Sequence, residues 1–226
     1  MTKGCRRKLG RMAFELDHVF ICVSRGAPEA EHLVQFGLRE GQSNTHPGQG
    51  TANRRFFFRN AMLELLWVED AREAQSEETA VTRLWERWSN RQSGACPFGI
   101  VWRPTGTADP VTPFPAQEYR PRWLAPDLQI YIAPAPIQEP MWVFMPFLQR
   151  VHHEQRFIGH PNGACEITRL ILIAPASWTS PAASVAASAG LCHRNGPEYL
   201  LHIEFDGGLR HQTRSFLPHL PLVLQL

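Results

Sequence analysis

The chain has 226 residues, 43% of them hydrophobic, and 23 basic against 21 acidic residues leave a formal net charge of +2. This length and hydrophobic content are ample for a globular body with a buried core. So small a net charge argues against a nucleic-acid partner, and no apolar stretch approaches the ~20 residues that a membrane span needs.

The N-terminal segment carries most of the basic excess, in Arg6, Arg7, Lys8 and Arg11. It lacks the apolar core of a signal peptide, so we predict a disordered tail over residues 1–13 rather than a targeting or phosphate-binding arm. Met12 is an alternative start of the chain, in which case removal of the residues before it changes nothing.

The five cysteines are odd in number and scattered, and none forms a CxxC pair. This pattern argues against a disulfide framework and against a cysteine zinc site, and it favours the reducing cytoplasm. Cys22, Cys96 and Cys165 lie in or beside strand-like runs, where we expect them to pack as small hydrophobes.

The first folded unit, with its linking helix, is predicted over residues 14–94. Strict alternation in its opening strand puts Leu16, His18, Phe20 and Cys22 on one face and Asp17 on the other. Three further elements follow in the sequence pattern: a short helix over 28–36, a hairpin of 54–59 and 62–68, and a linking helix over 76–90.

The middle of the chain, residues 95–157, is a proline-rich, degenerate unit with strand candidates at 98–103, 128–133 and 141–145. Its proline density predicts short edge strands and long surface loops. Residues 158–226 resume the first pattern, with a strand at 167–173, a helix around 180–189 and a closing hairpin of 198–206 and 220–226. Because residues 166–172 echo residues 15–21, we predict a repeated unit with a cleft between the copies.

Two polar residues, His18 and Glu64, stand on otherwise apolar strand faces, and burial there requires a partner for each. An imidazole nitrogen and a carboxylate oxygen on one face of a curved sheet are ligand types for zinc, iron, manganese or nickel. The alternatives are a buried His–Glu hydrogen bond, or hydrogen bonds from each side chain to the backbone.

Several segments resemble the glyoxalase-like members of the vicinal oxygen chelate superfamily: the strand LDHVFI, the loop HPGQGTAN at 46–53, the strand with Leu63-Glu64-Leu65, and HPNGA at 160–164. The resemblance is strongest over 14–70 and 158–175. It implies an α+β fold in which paired βαβββ-type units form a curved mixed sheet around a cleft for a metal or substrate. It also implies His18 and Glu64 as the metal-side residues of the first half.

The last unit departs from that family pattern. The internal alignment assigns Arg169 to the position equivalent to His18, and a guanidinium cannot ligate a cation. Either the centre keeps only the first-half ligands and borrows others, or the metal has been lost. In the second case Arg169 supplies the positive charge, pairing with Glu64 or gripping a substrate carboxylate.

Further substrate-binding candidates come from the loop over 45–53, where Thr51 and Asn53 can hydrogen-bond backbone or ligand and His46 opens the family-like motif. A purely structural turn is the alternative for this loop.

A second group of candidates is the run His152-His153-Glu154 with the later His160, in a predicted loop. Because neighbours in an extended chain point oppositely, His153 and His160 are the better site candidates, as ligands or as an acid–base pair. A solvated loop is the alternative.

Two functions remain open. The first is a glyoxalase-like enzyme that acts on a small oxygenated organic molecule by lyase, isomerase or dioxygenase chemistry, with His18 and Glu64 acting directly or through a divalent metal. The second is a non-catalytic protein that binds or sequesters a small molecule beside a degenerate metal site. Both imply a small-molecule ligand and no nucleic acid or membrane, and a homodimer is possible because such units pair within or between chains.

Overall fold

The computed structural model describes residues 13–106 and 110–226, so the predicted tail lies outside it except for its last residue. The described strands of the first sheet are β1 Phe14–Cys22, β2 Asn44–His46, β3 Thr51–Phe57, β4 Met62–Val68, β5 Phe98–Pro104, β6 Gln117–Tyr119, β7 Ile130–Ile132 and β8 Met141–Phe144. Those of the second sheet are β9 Ile167–Ala174, β10 Cys192–Asn195, β11 Leu200–Phe205, β12 Thr213–Ser215 and β13 Leu222–Gln225.

The helices are few and short. They are α1 Ala30–Gln35, α2 Ala71–Ala74, α3 Leu84–Ser89, α4 Val151–Arg156 and α5 Pro181–Ser188. Two sheets with few, short helices make the fold α+β, as the sequence predicts. None of the helices in the described ranges is both long enough and apolar enough to span a lipid bilayer.

The first sheet is curved and mixed, with the strand order β2-β3-β4-β1-β5-β8-β7-β6. At its centre β1 runs parallel to β4 and antiparallel to β5, and β5 runs parallel to β8. The pairs β1/β4 and β5/β8 thus occupy equivalent positions in two joined halves. The half that completes the sheet comes from the proline-rich middle of the chain, which places most of its prolines in loops between strands.

The second sheet has the order β10-β9-β11-β13-β12. The sequence predicts a closing hairpin from the last two long runs, and this is wrong: β11 and β13 are parallel. The antiparallel partner of β13 is the short β12, which lies between them in the chain and supplies the reversal of direction. An exposed strand of three residues gave too little apolar pattern to be recognised.

The main core lies between the two sheets. It contains the apolar face of β1 with Val19 and Ile21, the face of β9 with Leu170 and Leu172, and buried alanines of α5. A second apolar cluster, with Phe20, Cys22 and Val101, fills part of the concave side of the first sheet. The two faces of β1 therefore serve two different clusters, and the concave one positions the site.

A β-bulge changes the side-chain alternation in β1. Leu16 pairs with Trp102 and His18 pairs with Val101. Because Trp102 and Val101 are neighbours in β5, Asp17 is an extra residue in β1 with no partner of its own in β5. The extra residue turns Asp17 to the same side as His18 and returns Leu16 to the main core. The predicted strict alternation is thus wrong at Leu16 and Asp17.

Two further local predictions differ from the structure. The run 76–90 is not one helix but a 3-10 turn, Glu77–Thr82, followed by α3, with a break at Arg83 where φ is +49°. The Thr82 hydroxyl donates to the carbonyl of Thr79 and accepts from the backbone N–H of Leu84, which replaces helical hydrogen bonds there. The predicted loop at 152–154 is part of helix α4.

Candidate functional site

The concave face of the first sheet encloses a cavity of about 190 Å³. An engineered protein cavity of roughly 150 Å³ admits benzene, so this space suits a ligand with about one ring's worth of atoms. The apolar side chains that line it include Phe20, Val101, Ile132, Met141 and Val143, and the polar ones include Asp17, His18, Asn53, Glu64 and His153.

His18 is held in one orientation by the preceding residue. Its Nδ1 lies 2.6 Å from Oδ1 of Asp17, and since a carboxylate only accepts, the imidazole donates through Nδ1. This bond is possible because the bulge brings both side chains to the same side of β1. It leaves Nε2 as the nitrogen available for chemistry.

Asp17 is the centre of a buried polar network. Its Oδ2 accepts from Nη1 of Arg103 and from Nε2 of His153, at 2.9 Å each. Arg103 is itself fully buried and also donates to Glu15 and to the carbonyl of Asn60. Burial alone raises the pKa of Asp17, but the hydrogen bonds and charges of His153 and His18 outweigh it and hold the pKa well below its ordinary value.

Glu64 faces His18 across the parallel pair of β1 and β4. Its Oε2 lies 3.4 Å from Nε2 of His18, and its Oε1 accepts a hydrogen bond of 2.5 Å from Nδ2 of Asn53. Asn53 is fixed in turn, because its Oδ1 accepts from the backbone N–H of Asn44. Both members of the His18–Glu64 pair are therefore buried and held from behind.

The His18–Glu64 contact requires a proton. With Nδ1 donating to Asp17, a neutral His18 presents only a lone pair at Nε2, and an ionised Glu64 presents only acceptors. Two acceptors facing one another in a buried site repel, so a hydrogen bond between Nε2 and Oε2 needs a proton on one of the two atoms.

A metal is implied by the family-like pattern, but the residues present do not fit one. The resemblance calls for ligands from both halves, whereas β5 and β8 present the apolar side chains of Val101, Met141 and Val143 to the cavity. Within residues 13–106 and 110–226, no group of three or more histidine, cysteine, aspartate or glutamate side chains is arranged to hold a metal ion. One imidazole and one carboxylate leave a zinc ion short of the three protein ligands of usual catalytic sites.

The structure brings together five of the sequence-predicted site residues: His18, His46, Asn53, Glu64 and His153 all line the cavity. His46 donates or accepts through Nδ1 with the hydroxyl of Thr51, 2.9 Å away, and its ring lies 4.7 Å from that of Trp123. Burial lowers the pKa of His46.

Three predicted residues lie elsewhere. Thr51 is buried behind His46 and also accepts from Gln49. His160 links the loop at Arg39 to the end of β3, accepting from the backbone N–H of Arg39 and donating to the carbonyl of Phe57. Arg169 is on β9 in the second sheet, opposite Glu204, and lines a different cavity, so the expected pairing with Glu64 does not form.

Several residues of the site were missed by the sequence interpretation. Asp17 was assigned to the wrong face because the bulge left no mark in the sequence. Arg103 resembles an ordinary strand-end arginine until Asp17 is known to face it. Arg55 and Arg156 also line the cavity, and Arg55 had a usable signal: it alternates with Asn53 on the same face of β3.

Comparison with known proteins gives a family and a fold. The family model described as "Glyoxalase-like domain" matches residues 16–187. No curated protein matches the sequence.

Solved structures that align with this chain include two hypothetical proteins. A hypothetical protein from Staphylococcus aureus aligns over 94% of this chain and 98% of its own, at 11% identity and a TM-score of 0.53, which indicates a shared fold alone. A hypothetical protein from Bacillus halodurans aligns over 61% of this chain and 97% of its own, at 15% identity and a TM-score of 0.39.

Proposed function

The chain belongs to the glyoxalase-like domain family, and from this premise we propose that it is an enzyme that moves a proton on a small oxygenated organic molecule held in the concave cavity. The observation that carries the proposal is the buried His18–Glu64 pair, with 3.4 Å between Nε2 and Oε2. His18→Ala or Glu64→Ala is expected to abolish the activity.

In this mechanism His18 carries protons on both ring nitrogens, so Nδ1 donates to Asp17 while Nε2 donates a hydrogen bond to the carbonyl oxygen of the substrate. Glu64 takes a proton from the carbon next to that carbonyl, the C–H electron pair moves into the enolate, and the negative charge develops on the oxygen held by His18. Where the α-carbon also carries a hydroxyl group, the enolate is an enediolate: Glu64 returns the proton to the former carbonyl carbon, the hydroxyl proton passes to the other oxygen, and the carbonyl group has moved by one carbon, which is isomerisation. Where the β-carbon carries a leaving group, the enolate electron pair expels it and forms a carbon–carbon double bond, which is a lyase reaction.

Asp17 and Asn53 are positioning residues in this scheme. Asp17 accepts from Nδ1 of His18 and fixes the direction of the ring, and Asn53 directs the Glu64 carboxylate. The apolar side chains that line the cavity keep bulk water from the enolate, which strengthens the hydrogen bond to its oxygen.

The proposal keeps isomerase and lyase chemistry from the classes that the resemblance implies, because both need only proton transfer. Dioxygenase chemistry needs a redox centre, and the donor set of one imidazole and one carboxylate does not supply its usual ligands. Catalysis is accordingly expected to persist in the presence of a chelator.

The test is exchange of α-protons with solvent. Small aldehydes, ketones and 2-oxo acids are incubated with the protein in D2O, and loss of the α-proton signal is followed by NMR, with and without EDTA. The proposal is supported if α-proton exchange requires both His18 and Glu64 and its rate is unchanged by EDTA. It is contradicted if the exchange rate is no higher than in buffer, or if His18→Asn and Glu64→Gln exchange as fast as the wild-type protein.

A non-catalytic binding protein is the second candidate, and the apolar character of β5 and β8 at the cavity favours it. In that case Val101 and Val143 supply binding surface where a two-half catalytic centre needs polar groups. A protein that binds members of the same panel without exchanging their protons would fit this candidate.

A further inference from the structure

Two arginines that line the cavity form no ion pair with the carboxylates of the described residues. Arg55 lies on β3, on the cavity side, and Arg156 ends α4. Neither forms an ion pair with any residue of the described ranges. Seven other described arginines do form ion pairs with aspartate or glutamate: Arg25, Arg54, Arg83, Arg103, Arg120, Arg122 and Arg150.

The two guanidinium groups flank one aromatic ring. The guanidinium carbon of Arg55 lies 5.2 Å from the centre of the Phe57 ring, and that of Arg156 lies 5.5 Å from it. The two cations interact unfavourably, since the charge of Arg156 lowers the pKa of Arg55. An anion bound near both groups would relieve this repulsion.

Arg55 is held ready for a ligand. Its Nε and Nη2 donate to the carbonyls of Gln42 and Ser43, and no hydrogen bond joins its Nη1 to a described residue. Burial lowers the pKa of Arg55, the charge of Glu64 raises it, and the charge of Arg156 lowers it further. A bound anion would compensate the cost of burying this cation.

The position of Arg55 relative to His18 and Glu64 limits the size of the ligand. Arg55 and Glu64 are direct cross-strand partners in β3 and β4. An anionic group bound to Arg55 thus lies next to Glu64, which belongs to the proposed proton-transfer centre. The cavity of about 190 Å³ accommodates the rest of a small molecule. A monoanion suits this position better than a dianion, because Glu64 is close by.

We propose that the ligand is a small organic acid whose carboxylate binds Arg55 and Arg156 while its oxygenated carbon chain or ring enters the cavity towards His18. This inference rests on the proposed function and names its substrate class. It assigns to Arg55 and Arg156 the anion-holding role that the sequence suggested for Arg169.

The test compares carboxylates with their neutral amides. Benzoate, phenylacetate and 2-oxobutyrate, with benzamide, phenylacetamide and 2-oxobutyramide, are titrated into the intact protein by calorimetry and ligand-observed NMR. We expect each carboxylate that binds to do so at least about tenfold more tightly than its amide, as charge-assisted hydrogen bonds predict. No binding of any of the three acids, or equal affinity for acid and amide, overturns the proposal.

Variants then locate the preference. In R55Q/R156Q the preference for the carboxylate should vanish while the affinity for the amide stays the same. R59Q is the matched control, because Arg59 also lies over a phenylalanine ring, that of Phe157, but does not line the cavity. If the double variant does not fold, R156Q alone, which removes an exposed side chain, should still reduce the preference several-fold.

The same titration in His18→Asn separates this inference from the proposed reaction. If the carboxylate preference persists there while no panel compound exchanges its protons with the wild-type protein, the acid-binding site stands and the reaction fails. If 2-oxobutyrate and 2-oxobutyramide exchange their α-protons equally fast, the reaction stands and the acid-binding site fails.

Discussion

Asp17 and His18 are consecutive residues of one β-strand, yet both side chains face the same cavity and are joined by a hydrogen bond of 2.6 Å. A regular strand would place them on opposite faces. The bulge in β1 therefore brings a carboxylate and the imidazole that it orients, from two consecutive residues, to one side of the sheet. Arg103, on the neighbouring strand β5, compensates the charge that this arrangement buries.

The first prediction concerns that compensation. Asp17→Asn should lower the free energy of unfolding by about 3–5 kcal/mol, because it leaves the fully buried Arg103 with its more exposed partner Glu15 alone. Urea denaturation at pH 7 measures the change. Glu15→Gln removes the other carboxylate of the same arginine and should cost no more than about 1 kcal/mol; equal costs for the two variants would contradict the role given to Asp17.

The sequence predicts the elements of the first half well. Period-2 runs marked β1, β3 and β4, and the placement of His18 and Glu64 on apolar faces pointed to the pair that the structure brings to 3.4 Å. The bulge at Asp17 was beyond reach, because nothing local in ELDHVFI distinguishes a bulged strand from a regular one. The unit that joins the first one was equally hidden: the sequence echo favoured residues 158–226 as the second copy beside the cleft, whereas strand pairing depends on long-range packing, and β1 pairs with β5 of the proline-rich middle.

The second prediction concerns His160, which is buried between the loop at Arg39 and the end of β3. One ring nitrogen accepts from the N–H of Arg39 and the other donates to the carbonyl of Phe57. Burial lowers its pKa from 6.5 to about 4. Below pH 6.5 His160 binds a proton in the unfolded chain but stays neutral in the folded protein until the pH approaches 4. The free energy of unfolding therefore falls as the pH drops towards 4. We expect His160→Gln to remove about 1–2 kcal/mol of this pH dependence, allowing for the ring's partial contact with solvent.

The measurement for His160 is urea denaturation at several pH values between 4 and 7, compared with wild type. His219→Gln replaces an exposed histidine and serves as the control. A His160→Gln curve parallel to that of wild type would show that another group carries the dependence.

The third prediction concerns Gly99, which faces Phe20 across the β1–β5 pair. A Cβ at this position would lie 2.0 Å from the Phe20 ring, so Gly99→Ala must displace that ring along the cavity wall. We expect a loss of about 1–3 kcal/mol in stability and weaker ligand binding. Gly106→Ala, where the added carbon meets no atom within 4 Å, should leave both unchanged.

The last prediction concerns Asn53, whose amide donates to Glu64 at 2.5 Å and whose oxygen is held by the backbone of Asn44. Asn53→Asp keeps the shape but sets two carboxylates against each other, so one of them should bind a proton at a higher pH than an isolated carboxyl group does. The folded variant then holds a proton that its unfolded chain has already released, and its stability relative to wild type falls as the pH rises from 5 to 7. Proton exchange on the panel compounds should decline over the same range, because Glu64 no longer has a donor to direct it. Asn44→Asp, at an exposed residue that contributes through its backbone, provides the comparison. If both aspartate variants lose the same stability at every pH, the contact between Asn53 and Glu64 does not govern the carboxylate.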